Sequence, residues 1–203
     1  MANVYDEVYR TEGYYWGRRP SAMALRVLEL MPPERPLRLL DIGCGEGRNA
    51  VFFARNGYHV TAFDLSSVGM EKTARMAAEV GVSLDLFTAD LLVFRLAEPF
   101  DVLFSTGTLH YLPPELRAEI LGNYKKFTTP GGLHAFSVFV QKPFIPPSPD
   151  GEPTAQAWIS GELFTHYHDW RIEYCTEEIF DCTSGGVPHQ HAMNRVLARR
   201  VVA

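Results

Sequence analysis

The sequence predicts a doubly wound α/β domain built on a mainly parallel sheet. Three observations carry that prediction. From Leu37 to Val140, short apolar or β-branched runs alternate with stretches of helix length. The first run leads into Gly43-Cys44-Gly45-Glu46-Gly47, a glycine-spaced loop just ahead of a helix. Acidic residues stand at or beside the ends of the first three runs, at Asp41, Asp64 and Asp90.

Leu37 to Ile42 reads as a buried strand, and Asn49 to Arg55 as a short helix stopped by Asn56-Gly57. Tyr58 to Asp64 is a second strand, rich in β-branched and aromatic residues. Ser66-Ser67 can cap the next helix, which runs to about Val80 and stops at Gly81. Ser83 to Thr88 and Phe100 to Ser105 are the third and fourth strands. Pro113-Pro114-Glu115 opens a helix, with proline in the first turn and an acid at the positive helix end. That helix ends before Thr129-Pro130-Gly131-Gly132, expected as a turn, and Leu133 to Val140 is the fifth strand. Lys142 to Pro153 holds five prolines in twelve residues and cannot be regular. It is either a linker or a loop shaped for function. Arg171 to Phe180 and Ala192 to Val202 follow as two strands able to pair as a hairpin.

A length of 203 residues, 46% of them hydrophobic, is enough for one well-buried core, so a single domain over 1–203 is expected. Nineteen basic against 24 acidic residues leave a net charge of −5, which offers no footprint for nucleic acid or anionic lipid. No apolar run reaches the roughly 18 residues of a membrane span, and Met1 to Asp6 lacks a basic region followed by an apolar one. A cytoplasmic protein is therefore expected. Cys44, Cys175 and Cys182 form no CxxC pair, which argues against a disulfide framework or zinc knuckle. Four of the seven histidines, His166, His168, His189 and His191, fall in the last forty residues.

The glycine loop departs from a dinucleotide fingerprint. Where G-x-G-x-x-G needs its third glycine, this chain has Arg48. Asp41 beside the loop repels a pyrophosphate but suits an amine or sulfonium. Asp64, 23 residues after Asp41, can accept hydrogen bonds from ribose hydroxyls, and Asp90 from an adenine amino group. Three such acids around a glycine loop fit a nucleoside with a zwitterionic tail and no phosphates. A nicotinamide-dependent reductase is disfavoured by the same residues.

This combination resembles class I S-adenosylmethionine-dependent methyltransferases, from about Tyr14 onward. The resemblance implies a Rossmann-like seven-strand sheet with its last strand antiparallel. It also implies a cofactor-covering segment at 1–36, a cofactor-binding core at 37–140 and an acceptor side at 141–203. The cofactor set it implies is Asp41, Gly43, Gly45 and Gly47 at the methionine part, Asp64 with Leu65 at the ribose, Asp90 with Leu91 at the adenine, and Ser105 beside them. In similar enzymes the N-terminal segment closes over the cofactor. Trp16 would then pack near the sulfonium, and Arg18 or Arg19 would meet the carboxylate, or Tyr14 to Trp16 would simply cover apolar sheet. Gly45 to Asn49 followed by Val51-Phe52-Phe53-Ala54 is similar to the tellurite-resistance branch. That branch is itself similar to thiopurine-type enzymes, which methylate chalcogen and thiol compounds.

Methyl transfer from a sulfonium is an in-line displacement that demands alignment; a soft nucleophile needs little help, a hydroxyl or amine needs a base. Candidates on the acceptor side are His110, His189, His191 and Arg195, the last three with Asn194 also suited to an anion. For His110 the alternative is a structural hydrogen bond. For the distal histidines the alternatives are a metal site or a polar cluster pinning the hairpin. No metal site is expected, because no cysteine or carboxylate has recognisable ligand spacing with them. Trp158, Phe164, Tyr167 and Trp170 would either line the substrate entrance or pack beneath the proline loop. The expected activity is S-adenosylmethionine-dependent methylation of a small molecule, a thiol or chalcogen oxyanion. A non-catalytic module binding the cofactor or S-adenosylhomocysteine is the alternative.

Overall fold

Consecutive apolar residues in the first strands, such as Leu39 and Leu40, put side chains on both faces of a sheet, and each face must be covered. The computed structural model, which describes residues 4–148, 156, 158–183 and 186–202, shows how this is done. Seven strands form one sheet: β1 (Arg38–Ile42), β2 (His59–Asp64), β3 (Asp85–Thr88), β4 (Phe100–Thr106), β5 (Thr128–Val140), β6 (Arg171–Cys182) and β7 (His189–Arg199). Their spatial order is β3-β2-β1-β4-β5-β7-β6. The first five are parallel, and β7 runs antiparallel to both β5 and β6. The expected fold class is the observed one.

Alternation sorts the core into two layers. Leu40, Ile42, Leu103 and Phe136 face one layer, which also holds Ile120, Leu121 and Tyr124. Leu39, Val60, Val102 and Phe104 face the other, against Ala50 and Phe53. Among the described residues six α-helices flank or extend the sheet: α1 (Val4–Tyr9), α2 (Ala22–Leu30), α3 (Arg48–Arg55), α4 (Ser67–Glu79), α5 (Pro114–Lys126) and the single turn α6 (Glu162–Thr165). Their ends follow local chemistry. Ser21 and Ser66 accept the N–H of Ala24 and Gly69 at 3.2 and 3.0 Å, capping α2 and α4. On α5, Glu115 occupies the first turn and Lys125 and Lys126 the last, each at the favourable end of the dipole.

Three expectations need correction. The segment 1–36 carries two helices, α1 and α2, to which the sequence reading assigned no elements. Thr129 to Gly132 is not a turn between elements. It lies inside β5, where the pairing with β4 shifts between Phe100 and Val102, so that the chain bulges and continues. The final strand spans His189–Arg199, three residues earlier than expected at each end, because it pairs along nearly all of β6. Trp158 and Tyr167 pack into the first core layer, and Phe164 and Trp170 pack against it. That resolves their two readings in favour of packing: none of them borders the cleft described below. Residues 149–155 of the proline-rich loop lie outside the described residues. Among the described residues, no helix is long and apolar enough to cross a membrane.

The topology fixes where a site can be. From β1 the chain winds outward to β2 and β3, then returns to β4 on the other side of β1. Loops leaving β1 and β4 therefore part in opposite directions, opening a crevice at the carboxyl ends of the strands.

Candidate active site

That crevice is a cleft of about 1190 Å³. Its floor is the glycine loop. The amides of Gly43 and Cys44 donate to Phe63 O at 2.9 and 3.0 Å, and the amide of Gly45 donates to Asp64 Oδ2 at 2.8 Å. These bonds fold the loop back on β2. Gly45 has φ +57°, a conformation that favours glycine, and a Cβ there would lie 2.8 Å from the Tyr9 hydroxyl and displace it. Gly43 and Gly45 border the cleft, whereas Gly47, at φ +86°, sits behind it against Thr73.

The three acids differ in their surroundings. Asp41 is 2% exposed beneath the loop, and its Oδ2 has no hydrogen-bond partner. Burial, and secondarily the Asp64 carboxylate, push its carboxyl up to about 8. Asp64 borders the cleft and accepts the Ser66 amide at 2.9 Å through its other oxygen; burial raises its pKa. Asp90 is half-buried at the far end and accepts the Leu92 amide at 2.8 Å. Leu65 and Leu91 also line the cleft. Ser105 does not: its buried hydroxyl donates to Ile42 O at 2.9 Å, and Thr106, one residue on, faces the cavity instead.

The N-terminal segment forms a wall of the same cleft through Tyr5, Tyr9 and Trp16. It is tied down by residues of the glycine loop, α3 and α4. Glu46 is 2% exposed; it accepts the Trp16 amide at 3.2 Å and pairs with Lys72 at 2.8 Å. Lys72 also donates to the carbonyls of Thr11 and Gly13 at 3.0 and 2.6 Å. Arg48 donates to Trp16 O at 2.9 Å, and Asn49 Oδ1 accepts the Ser21 amide at 2.9 Å. Arg18 is outside the cleft, paired with Glu79 at 2.6 Å on the surface. The guanidinium beside the loop is that of Arg48.

The opposite end is built by one face of the β6–β7 hairpin and the segment after β4. Glu178, Phe180, Cys182, His191, Met193 and Arg195 line it, with His110, Ser137 and Phe139. Burial, with His191 nearby, lowers the His110 pKa to about 4, so its ring is neutral at physiological pH. His110 Nδ1 and Ser137 Oγ are buried without hydrogen-bond partners. Arg195 is ion-paired with Glu178, and Asn194 faces away, donating to Glu177 at 2.8 Å. His189 Nε2 and His191 Nε2 lie 2.9 Å apart. His166 and His168 are elsewhere, beyond α6. Sequence reasoning missed Tyr9, Glu46, Arg48 as a cleft residue, and Ser137. Arg48 was legible as a pattern break, but nothing marked the other three.

The residues present fit S-adenosylmethionine: glycines allow close approach, carboxylates stand at the ends of β1 and β2 and just beyond β3, and Asp41 keeps an unpartnered oxygen. The family model described as "Tellurite resistance protein TehB" matches residues 7–185. The chain belongs to the TehB family. It is 28% identical over 142 residues to a probable S-adenosyl-L-methionine-dependent methyltransferase TehB of Haemophilus influenzae, covering 68% of this chain and 48% of that one. It is also 29% identical over 146 residues to "Hemagglutinin 1" of Eikenella corrodens, covering 72% and 48%. The chain thus spans about half the length of these relatives. The crystal structure of TehB from Haemophilus influenzae shares the fold, with a TM-score of 0.76 at 22% identity over 86% of this chain and 61% of that one.

Proposed function

We propose that this TehB-family chain transfers a methyl group from S-adenosylmethionine to a small, soft nucleophile, a thiol or chalcogen oxyanion. The observation that carries the reading is that one cleft joins the glycine loop and its acids to a separate polar end. At about 1190 Å³ it exceeds the ~300–1,000 Å³ of a one-ligand pocket.

In this reading Asp64 and Asp90 hold the ribose and adenine and Arg48 the carboxylate of the methionine part; Asp41 does not border the cleft and acts on the amino group from beneath the loop. Trp16, Tyr5 and Tyr9 exclude water from the same end. The cofactor supplies a sulfonium methyl and leaves as a neutral thioether. The chain's own task is then alignment of the nucleophile. A histidine held near pKa 4 is a feeble base, which supports an acceptor already ionised or easily polarised. His110 Nδ1 and Ser137 Oγ offer it hydrogen bonds. Nucleic acid and membrane partners do not enter this reading, and a cytoplasmic setting accords with it.

A screen with radiolabelled methyl cofactor against thiols, selenite, tellurite and small oxygen and nitrogen acceptors tests this directly. Label transfer to a thiol or chalcogen compound is expected. Calorimetric binding of S-adenosylhomocysteine with no transfer to any acceptor would instead establish a non-catalytic binding module. Binding of NADH in place of both would overturn the cofactor assignment.

A further inference from the structure

Linear spacing argued against metal ligands near the distal histidines, but cross-strand pairing brings in a third group. In the β6–β7 hairpin, Cys182 is directly opposite His189, and Phe180 opposite His191. Residues 189 and 191 share one face of β7, so both rings and the Cys182 thiol meet at the end of the hairpin. Their ligand atoms, one from each side chain, all lie within 4.8 Å of one another. We propose that Cys182, His189 and His191 bind a borderline-soft divalent ion of the zinc class, with an open coordination position for a thiolate at the acceptor end of the cleft. The ion-binding part stands on the geometry alone; the thiolate part rests on the methyl-transfer reading.

Three arguments support the site. The first is distance. Two imidazole nitrogens ~2.0–2.1 Å from a tetrahedral zinc are ~3.3 Å apart, and nitrogen and sulfur ligands ~3.6 Å apart. The His189 and His191 nitrogens at 2.9 Å need separate by only a few tenths of an ångström.

The second is orientation. His189 Nδ1 lies 2.7 Å from Val187 O. A carbonyl only accepts, so Nδ1 carries the proton and Nε2 presents its lone pair, the arrangement a backbone carbonyl imposes on metal-bound histidines. His191 Nε2 then supplies the hydrogen between the rings. On binding, that proton moves to His191 Nδ1, the Cys182 S–H bond is replaced by a sulfur–metal bond, and the thiol proton goes to solvent. Phe139 and Phe180, with ring centres 4.8 and 5.7 Å from His191, hold that ring in place.

The third is completeness. Among the described residues the cluster has three ligands, which leaves the fourth tetrahedral position open, as in catalytic and unlike structural zinc sites. Cys182 and His191 line the cleft itself. One thiolate and two imidazoles select zinc-class ions over calcium or magnesium, which prefer oxygen.

The test uses the full chain stripped with a chelator, then titrated with Co²⁺ by absorption and Zn²⁺ by calorimetry. One ion per chain and a thiolate-to-cobalt charge-transfer band are expected. Cys182→Ser should abolish the band and weaken zinc by more than ~100-fold, beyond the ~10–100-fold that loss of a supporting partner brings. His189→Ala/His191→Ala should do the same, and Cys175→Ser, at an exposed position on β6, should not. Circular dichroism confirms that each variant is folded. No stoichiometric binding, or binding indifferent to Cys182, overturns the site. S-adenosylhomocysteine titration of the same samples reports separately on the cofactor reading, so either can fail alone.

Discussion

Replacing Asp41 by asparagine should make the protein more stable and worse at holding its cofactor. Asp41 is buried beneath the glycine loop with its carboxyl pushed up to about 8. In an unfolded chain an aspartate titrates near ~3.9. Between those values the native state holds a proton that the unfolded state has lost. Stability therefore falls as pH rises through that window, by ~1.4 kcal/mol per pH unit. By pH 7 the loss reaches ~4 kcal/mol. Asp41→Asn removes the titration but places an amide N–H₂ where Oδ2 has no partner, at a cost of ~1–3 kcal/mol. The variant should thus exceed the wild type by ~1–3 kcal/mol at pH 7, with the gain larger at pH 8 and gone by pH ~5. Urea unfolding followed by circular dichroism at pH 5, 6, 7 and 8 measures this. The proposed ammonium partner has first to ionise the Asp41 carboxyl, at ~1.4 kcal/mol at pH 7. Most of a charge-assisted contact worth ~1.5–3 kcal/mol is thereby offset, so the same substitution should lower S-adenosylhomocysteine affinity several-fold, up to ~10-fold. Wild type and variant with parallel pH dependence would refute the burial argument. Unchanged affinity would remove Asp41 from the site.

Asp64→Ala deletes the acceptor of the Gly45 and Ser66 amides and should lower S-adenosylhomocysteine affinity at least ~10-fold by calorimetry; equal binding would refute the ribose assignment. Glu46→Gln should destabilise by ~3–5 kcal/mol, because it leaves Lys72 charged and buried. Adding Lys72→Met should restore part of the melting temperature, and no recovery would show that the pair is not coupled. His134 is buried between Thr128 and Tyr167 with its pKa lowered to about 3, so protonation below the ordinary ~6.5 favours the unfolded chain. The stability advantage of wild type over His134→Gln should shrink by ~2 kcal/mol from pH 7 to pH 5; a constant difference would contradict this.

The sheet core was legible because alternating apolar runs, a glycine loop and capped helices are local signals. α1 was not, because six residues, although they pair Val4 with Val8 and Tyr5 with Tyr9 at i, i+4, are too few to declare a helix by periodicity. Among the loop-side residues the acids declared themselves by their place after strands, but the carboxylate partner was sought at Arg18 or Arg19, and Arg48 was passed over. Which guanidinium enters the cleft depends on Glu79 capturing one and the loop presenting the other. Ser105 was misplaced by one residue, since a side chain turned toward a neighbouring strand cannot also face the cavity. The acceptor end was least legible. Cys182 and His189 are partners through antiparallel register, a relation that linear spacing does not contain.

The position of β7 between β5 and β6 has a bearing on synthesis. Until residues through Arg199 leave the ribosome, β6 has no strand to join and β5 keeps an apolar edge unpaired. The nascent chain thus completes its nucleoside-facing half while the other half is still an open, aggregation-prone edge. The glycine-loop end of the cleft forms first and the hairpin end last, and a chain truncated before His189 would hold only the first.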